Sequence, residues 1–165
     1  KLFTYVLNKV VEKRKYIMSK YEADKSAWRT NPVSRETPWG KEKQWSALPG
    51  INGKIIKIKK GHRTSLKFHP RKDEAFYILA GKIKFEYGNE DWLKYKGADL
   101  KEEILSTGDS MCVQSNCAYR MHALETSEVI EIGSYGTEDE VVRIEDDYGR
   151  KVSNKTFPNT WNKEG

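Results

Sequence analysis

Past Gly50 the chain becomes a succession of short runs rich in β-branched and apolar residues, separated by Gly, Pro, Asn and Asp: GKIIKIKK, TSLKF, AFYILA, KIKFEY, LKEEIL, SMCVQ, YRMHA and EVIEIGSY. Many short strands at close spacing bury their apolar faces only as an antiparallel sandwich or barrel, so this pattern predicts an all-β fold. Residues 88–99, GNEDWLKYKGAD, carry Gly at or near each end and read as a long hairpin loop. Residues 30–49 hold Pro32, Pro38, Pro49, Gly40 and mixed charges, and read as an irregular lead-in containing PWGKEKQW.

At 165 residues the chain has room for one core of ordinary size. Residues 2–21 place Leu2, Phe3, Val6, Leu7, Val10, Val11, Ile17, Met18 and Tyr21 near helical spacing, which predicts an amphipathic helix with a basic outer face. The expected division is a helical extension over 1–29, a barrel with its lead-in and closing segment over 30–152, and a polar tail over 153–165 anchored by Phe157 and Trp161. Met18 offers an internal start, which leaves the standing of the residues before it open.

The net charge of +6 is concentrated in the extension. Residues 1–20 carry six basic side chains against one acidic, a net of +5, leaving +1 for the rest. Basic residues elsewhere are interspersed with Asp and Glu, a pattern that speaks against a nucleic-acid partner. Asn8, Lys9 and the charged run from Glu12 to Lys15 interrupt the N-terminal apolar residues, so neither a signal peptide nor a membrane span is expected. Two cysteines, Cys112 and Cys117, make no disulfide framework, which favours a reduced, cytoplasmic setting.

Four blocks carry a resemblance. GHRTSLKFHPRKDEAFYILAG, residues 61–81, presents Gly61, Lys67, His69, Glu74 and Gly81 at fixed spacing, and GDSMCVQSNCAYRMHALE, residues 108–125, opens on Gly108 and Asp109 and places Tyr119 at a further motif position. With PWGKEKQW before them and VVRIEDDYGR (residues 141–150) after them, these blocks resemble the cupin superfamily, in particular type II mannose-6-phosphate isomerases and the isomerase domain of mannose-1-phosphate guanylyltransferases. The resemblance implies a double-stranded β-helix, the cupin jelly-roll barrel, around a small-molecule pocket.

Residues two apart in a strand share a face, so Lys67 and His69 should point together into that pocket, with Leu66 and Phe68 turned away. The family uses such positions, with a carboxylate, to hold a divalent metal that polarises a substrate oxygen. His69 and Glu74 keep the pattern and are the candidate ligands for zinc, manganese, iron or nickel. Lys67 and Tyr119 replace usual ligands: a protonated lysine has no lone pair, and tyrosine, with a pKa of about 10, is a poor ligand near neutrality. His62 lies at the strand entry and His122 is three positions past Tyr119, on the opposite face by parity. One reading is that the Lys67 ammonium replaces the metal, pairs with Glu74 and attracts an anionic or hydroxyl-rich ligand; the other is that these are polar residues at a barrel mouth.

By resemblance, Arg150 assists proton transfer or holds a sugar phosphate, and a guanidinium fork suits phosphate. An ion pair with Asp146 or Asp147 is the competing reading. Arg143 and Met121 join Lys67, His69 and Tyr119 as candidate ligand-binding residues, and Glu74, Lys67 and Arg150 as candidate catalytic ones. Trp39, Trp45 and Tyr148 are read as packing residues, Cys112 as core and Cys117 as exposed.

Two functions follow. The first is a sugar or sugar-phosphate enzyme of the mannose-6-phosphate isomerase type, with Glu74 or His69 as base and Lys67 or a metal as electrophile. The second is a metal-free binding cupin for a small anionic or polyol ligand, serving sensing or regulation. An oxygenase would need two histidines and a carboxylate, a set left incomplete here. Pairing through sheet edges would make the protein a homodimer.

Overall fold

The computed structural model describes residues 27, 29–48, 50–94, 99–134 and 141–153. The expected N-terminal helix and the tail after Ser153 lie outside the described residues. Among the described residues, eleven strands build two antiparallel sheets. The six-stranded sheet runs β1 (Val33–Thr37), β2 (Gly40–Leu48), β3 (Ile51–Ile58), β10 (Ser127–Gly133), β5 (Glu74–Ala80), β8 (Ser110–Val113). Facing it, the five-stranded sheet runs β11 (Val142–Glu145), β4 (Leu66–Phe68), β9 (Ala118–Ala123), β6 (Lys82–Gly88), β7 (Lys101–Ser106). Non-sequential neighbours such as β3 and β10 mark the jelly-roll winding, and each of the eight runs read as strands in the sequence contains one.

The core lies between the sheets. Ile56 and Ile58 of β3, Phe76 and Ile78 of β5, Ile83 and Phe85 of β6, Met121 and Ala123 of β9 and Val129 of β10 are all buried, at the period of two that one inward face demands. Phe76, Phe85 and Tyr119 pack their rings at centroid distances of 5.3–5.6 Å. Such burial stabilises by about 25 cal/mol per Å² of apolar surface.

Two segments differ from the sequence reading. The lead-in is a regular hairpin, in which Pro38 and Trp39 form the turn between Thr37 and Gly40, and β2 pairs along β3. Its strands carry charge on both faces, as in KEKQ, so no apolar alternation announces them. Trp39 enters the core at 3% exposure, Tyr148 packs against it, and the Trp45 ring lies across Gly53. Residues 88–99 hold a short helix, α1 (Glu90–Lys94), where the Asn89 side chain accepts from the amide of Trp92 at 3.1 Å. Among the described residues no helix is long and apolar enough to cross a membrane.

The cysteines exchange their expected places: Cys112 is exposed, and Cys117 is half-buried against the core. Cys112 pairs across the sheet with exposed Ala75, so strand parity turns it outward while Val113 points in.

Gly81 alone connects β5 to β6, at φ +88°. A Cβ there would stand 2.4 Å from Ser127 Oγ and 2.6 Å from the Thr126 carbonyl oxygen. Backbone conformation and space both demand glycine. Gly81→Ala is therefore expected to destabilise the fold by about 2–3 kcal/mol, lowering Tm by roughly 4–12 °C; an unchanged melting curve would refute this account of the turn.

Candidate functional site

The inward face of the barrel turns polar at one end. Lys54 of β3 lies directly opposite Glu131 of β10, and Glu74 of β5 opposite Gly133 of β10. Glu74 and Glu131 are buried, their side chains each 2% exposed. Lys72, from the loop before β5, reaches between them, its Nζ 2.6 Å from Glu74 Oε1 and 2.8 Å from Glu131 Oε1. The lysine passes over Gly133, where a Cβ would come within 2.1 Å of its Cε. Glycine at 133 is thus the opening through which the ammonium arrives. On its other side Glu74 accepts a hydrogen bond from the Tyr119 hydroxyl through Oε2.

The first motif therefore converges, with one exchange of partners. Sequence reasoning paired Lys67 with Glu74, but Lys72 holds that carboxylate. Lys67 lies over the Tyr119 ring, 5.3 Å from its centroid, and makes no ion pair among the described residues. His69 is 6% exposed, with Nε2 3.4 Å from Glu74 Oε1. Neither of its ring nitrogens has a hydrogen-bond partner, nor does the buried Trp39 Nε1. His122 points to the outer face, as parity requires, beside Arg63 in an isolated bridge. His62 stays at the strand entry, against the Lys60 carbonyl.

Burial and charge fix the protonation states. Burial works against charge on Glu131, but Lys54, Lys72 and Lys67 outweigh it and hold the carboxyl at about 2. Glu74 is pushed up, first by burial. Burial and the neighbouring Glu74 raise Tyr119 well above the usual phenol range, so it remains a donor. His69 is driven down to about 2 by burial, then by Lys67 and Lys72, and is neutral. Burial lowers Lys72, but Glu131 and Glu74 more than reverse it, so it stays an ammonium.

Above this layer a cavity of ≈ 220 Å³ opens between β2, β3, β4 and β11. Lys67, His69, Met121, Arg143 and Arg150 line it, while Glu74 and Tyr119 lie behind its wall. Lys67 and Arg143 are register partners across β4 and β11. Arg150 donates to Asp146 from Nε and Nη2 at 2.9 and 2.5 Å, so it is both ion-paired and cavity-lining. The Tyr148 and Arg150 amides also donate to Asp146, closing the loop after β11. Arg63 grips Asp147 through Nε and Nη2, and Arg120 joins Glu86 to Glu145. These pairs strap the closing segment to the barrel.

The sequence reading missed Lys72, Glu131 and Lys54. Lys54 shares the inward parity of Ile56 and Ile58, and Glu131 that of Val129, a parity signal available in KIIKI and VIEI. Lys72 precedes its strand and gave no such signal.

A divalent cation does not fit the donor set as it stands. One oxygen of Glu74 receives the Lys72 ammonium and the other the Tyr119 hydroxyl, which leaves His69 as the one motif position with unengaged donor atoms. With Lys72 in place, no group of three or more His, Cys, Asp or Glu among the described residues is placed to hold a metal.

The depressed His69 value carries a stability consequence. The unfolded chain takes up a proton below about 6.5 that the native state refuses down to about 2, so stability is full above 6.5 and falls as pH drops. Glu131 adds to the loss only below 4.5. Between 6.5 and 4.5 the wild type should lose up to about 1.4 kcal/mol per pH unit relative to His69→Gln, a difference in which the opposing contribution of Glu74 cancels. Parallel urea-unfolding free energies for the two proteins across this range would contradict a buried neutral imidazole.

Residues 54–132 match the family described as Cupin domain. The chain is 28% identical over 113 residues to a mannose-1-phosphate guanylyltransferase from Escherichia coli, covering 68% of this chain and 22% of that protein. It therefore spans about a fifth of the length of the curated relatives it matches. In structure it resembles KdgF from Halomonas sp., with a TM-score of 0.53 at 21% identity over 67% of this chain and 92% of that one. It also resembles the capsular polysaccharide assembling protein CapF from Staphylococcus aureus, with a TM-score of 0.58 at 12% identity over 70% of this chain and 35% of that one. The strand order and these likenesses agree: residues 54–132 match the Cupin domain family, and the barrel has the jelly-roll fold of the cupins it resembles.

Proposed function

We propose that this cupin barrel binds a sugar phosphate, and that it does so as a binding module. The observation that carries the reading is the charge of the cavity. Arg35, Lys54, Lys67, Lys72, Arg143 and Arg150 line it. Against these six cations the described residues of the wall and the layer behind it set the four carboxylates of Glu42, Glu74, Glu131 and Asp146. A wall this rich in cations suits a phosphate monoester, which carries about −1.5 to −2 near neutrality. Lys67 and Arg143, side by side across two strands, are placed to take the phosphate oxygens.

The remainder of the wall suits hydroxyls. His69 and Trp39 bring buried polar atoms without hydrogen-bond partners to the cavity lining, and Thr64 and Ser65 lie beside them. A buried polar group left unsatisfied costs about 1–3 kcal/mol, which a hydroxyl-bearing ligand would recover. At ≈ 220 Å³ the cavity falls below the usual range for drug-sized ligands, roughly 300–1,000 Å³, and favours a monosaccharide over a nucleotide sugar. The likeness to mannose-1-phosphate guanylyltransferases supports a sugar ligand of the mannose type.

Isomerisation would require a base at the cavity surface with a pKa near the working pH. Glu74 is enclosed by Lys72 and Tyr119, and His69, at about 2, is far too weak a base. The geometry thus supports capture of the sugar phosphate over its conversion.

Calorimetric titration with mannose 6-phosphate, mannose and inorganic phosphate tests the reading. Mannose 6-phosphate should bind most tightly, with affinity falling as salt is raised, and Lys67→Met and Arg143→Met should each weaken it by roughly 10- to 100-fold, the loss of a charge-assisted hydrogen bond. Mannose binding as tightly as its phosphate, or variants that leave affinity unchanged, would overturn it. Incubation with mannose 6-phosphate followed by NMR should show no new sugar; turnover would reinstate the isomerase reading.

A further inference from the structure

We propose that Lys72 is the resident cation of this barrel, occupying a carboxylate–carboxylate–imidazole corner that becomes a divalent-metal site when the lysine is removed. The inference is independent of which ligand enters the cavity above.

Three observations place the corner. Glu74 Oε1 and Glu131 Oε1 both lie within 2.8 Å of one Nζ, so the two carboxylates already converge on a single cation. His69 Nε2 stands 3.4 Å from the same Glu74 oxygen, a separation that two ligands of one metal would show, and the ring has no other hydrogen-bond partner to hold it. Gly133, by lacking a Cβ, opens the path for the lysine stem. Two oxygens and a neutral imidazole nitrogen suit zinc or manganese, whose bonds to such donors run about 2.0–2.2 Å.

Ammonium and metal exclude one another here. A metal about 2 Å from Glu74 Oε1 would stand within a few ångströms of Nζ, two cations in a site screened from water. Tyr119, kept protonated, fixes the second oxygen of Glu74 and leaves the first for the lysine. Lysine in place of metal also removes any dependence on metal supply.

The test is metal binding itself. Wild-type protein, exposed to excess zinc or manganese and then dialysed, should retain a substoichiometric amount by elemental analysis and show no shift in Tm on adding EDTA. Lys72→Ala, treated identically, should retain close to one equivalent and melt at lower temperature once EDTA is added. Tight stoichiometric metal in the wild type, lost together with thermal stability in EDTA, would overturn the proposal. So would a folded Lys72→Ala protein that takes up no metal. Should that variant fail to fold, Lys72→Gln keeps a neutral stem of similar length for the same comparison, and the wild-type measurement decides on its own whether the barrel holds a metal.

Discussion

Two carboxylates, Glu74 and Glu131, are enclosed in a barrel whose other inward residues are largely apolar, and they can remain ionised only with cations at contact distance. An uncompensated buried charge costs several kcal/mol, a large fraction of the roughly 5–15 kcal/mol that stabilises a domain. The ammonium of Lys72 is therefore a structural requirement of this interior. Lys54, opposite Glu131 in the sheet register, adds a second positive charge to the same layer. Everything at the open end is arranged around that compensation: Tyr119 donates to the carboxylate oxygen that Lys72 leaves, and His69 stays neutral because the surrounding cations repel a further proton.

Delivery of the ammonium depends on backbone features distant in sequence. Lys72 lies in a loop, Glu131 and Gly133 follow some sixty residues later on β10, and antiparallel pairing of β5 with β10 brings them together. The closing segment depends on charge in a different way. β11 pairs with β4 over three residue pairs only, and the loop beyond it is held by the pairs of Arg63 with Asp147, Arg120 with Glu145 and Arg150 with Asp146. Exposed ion pairs are individually weak. Here Arg63 grips Asp147 bidentately and Arg150 places two donors on one oxygen of Asp146, and the pairs fix the wall that carries Arg143 and Arg150.

Strands such as β3, β5 and β10 were legible because they bear the alternation of a sheet with one buried face, and the motif glycines marked where the chain must turn, as Gly81 does. β1 and β2 were not, because charged residues occupy both of their faces and the pairing is recorded only in the backbone ladders of β1 with β2 and of β2 with β3. At the site, parity placed Lys67 and His69 on the cavity side and His122 on the other. Parity could not rank two lysines five residues apart as partners for Glu74. That choice is made by the loop between them and by the missing side chain at Gly133, neither of which has a periodic signature. The cysteines failed for a related reason: Cys112 lies in an apolar run, yet its register partner Ala75 faces out.

Lys72 as internal cation changes how the barrel can recognise a ligand. A bound metal coordinates ligand oxygens through its open positions, so recognition centres on the metal. An ammonium has three donors, and Glu74 and Glu131 take two of them, leaving one for anything in the cavity. Selectivity must then move outward, to the groups of the cavity wall. Lys67 and Arg143, register partners across β4 and β11, line that wall together with the ring of His69. The inner layer sets the fold and the sign of the field, and the outer layer selects what that field attracts.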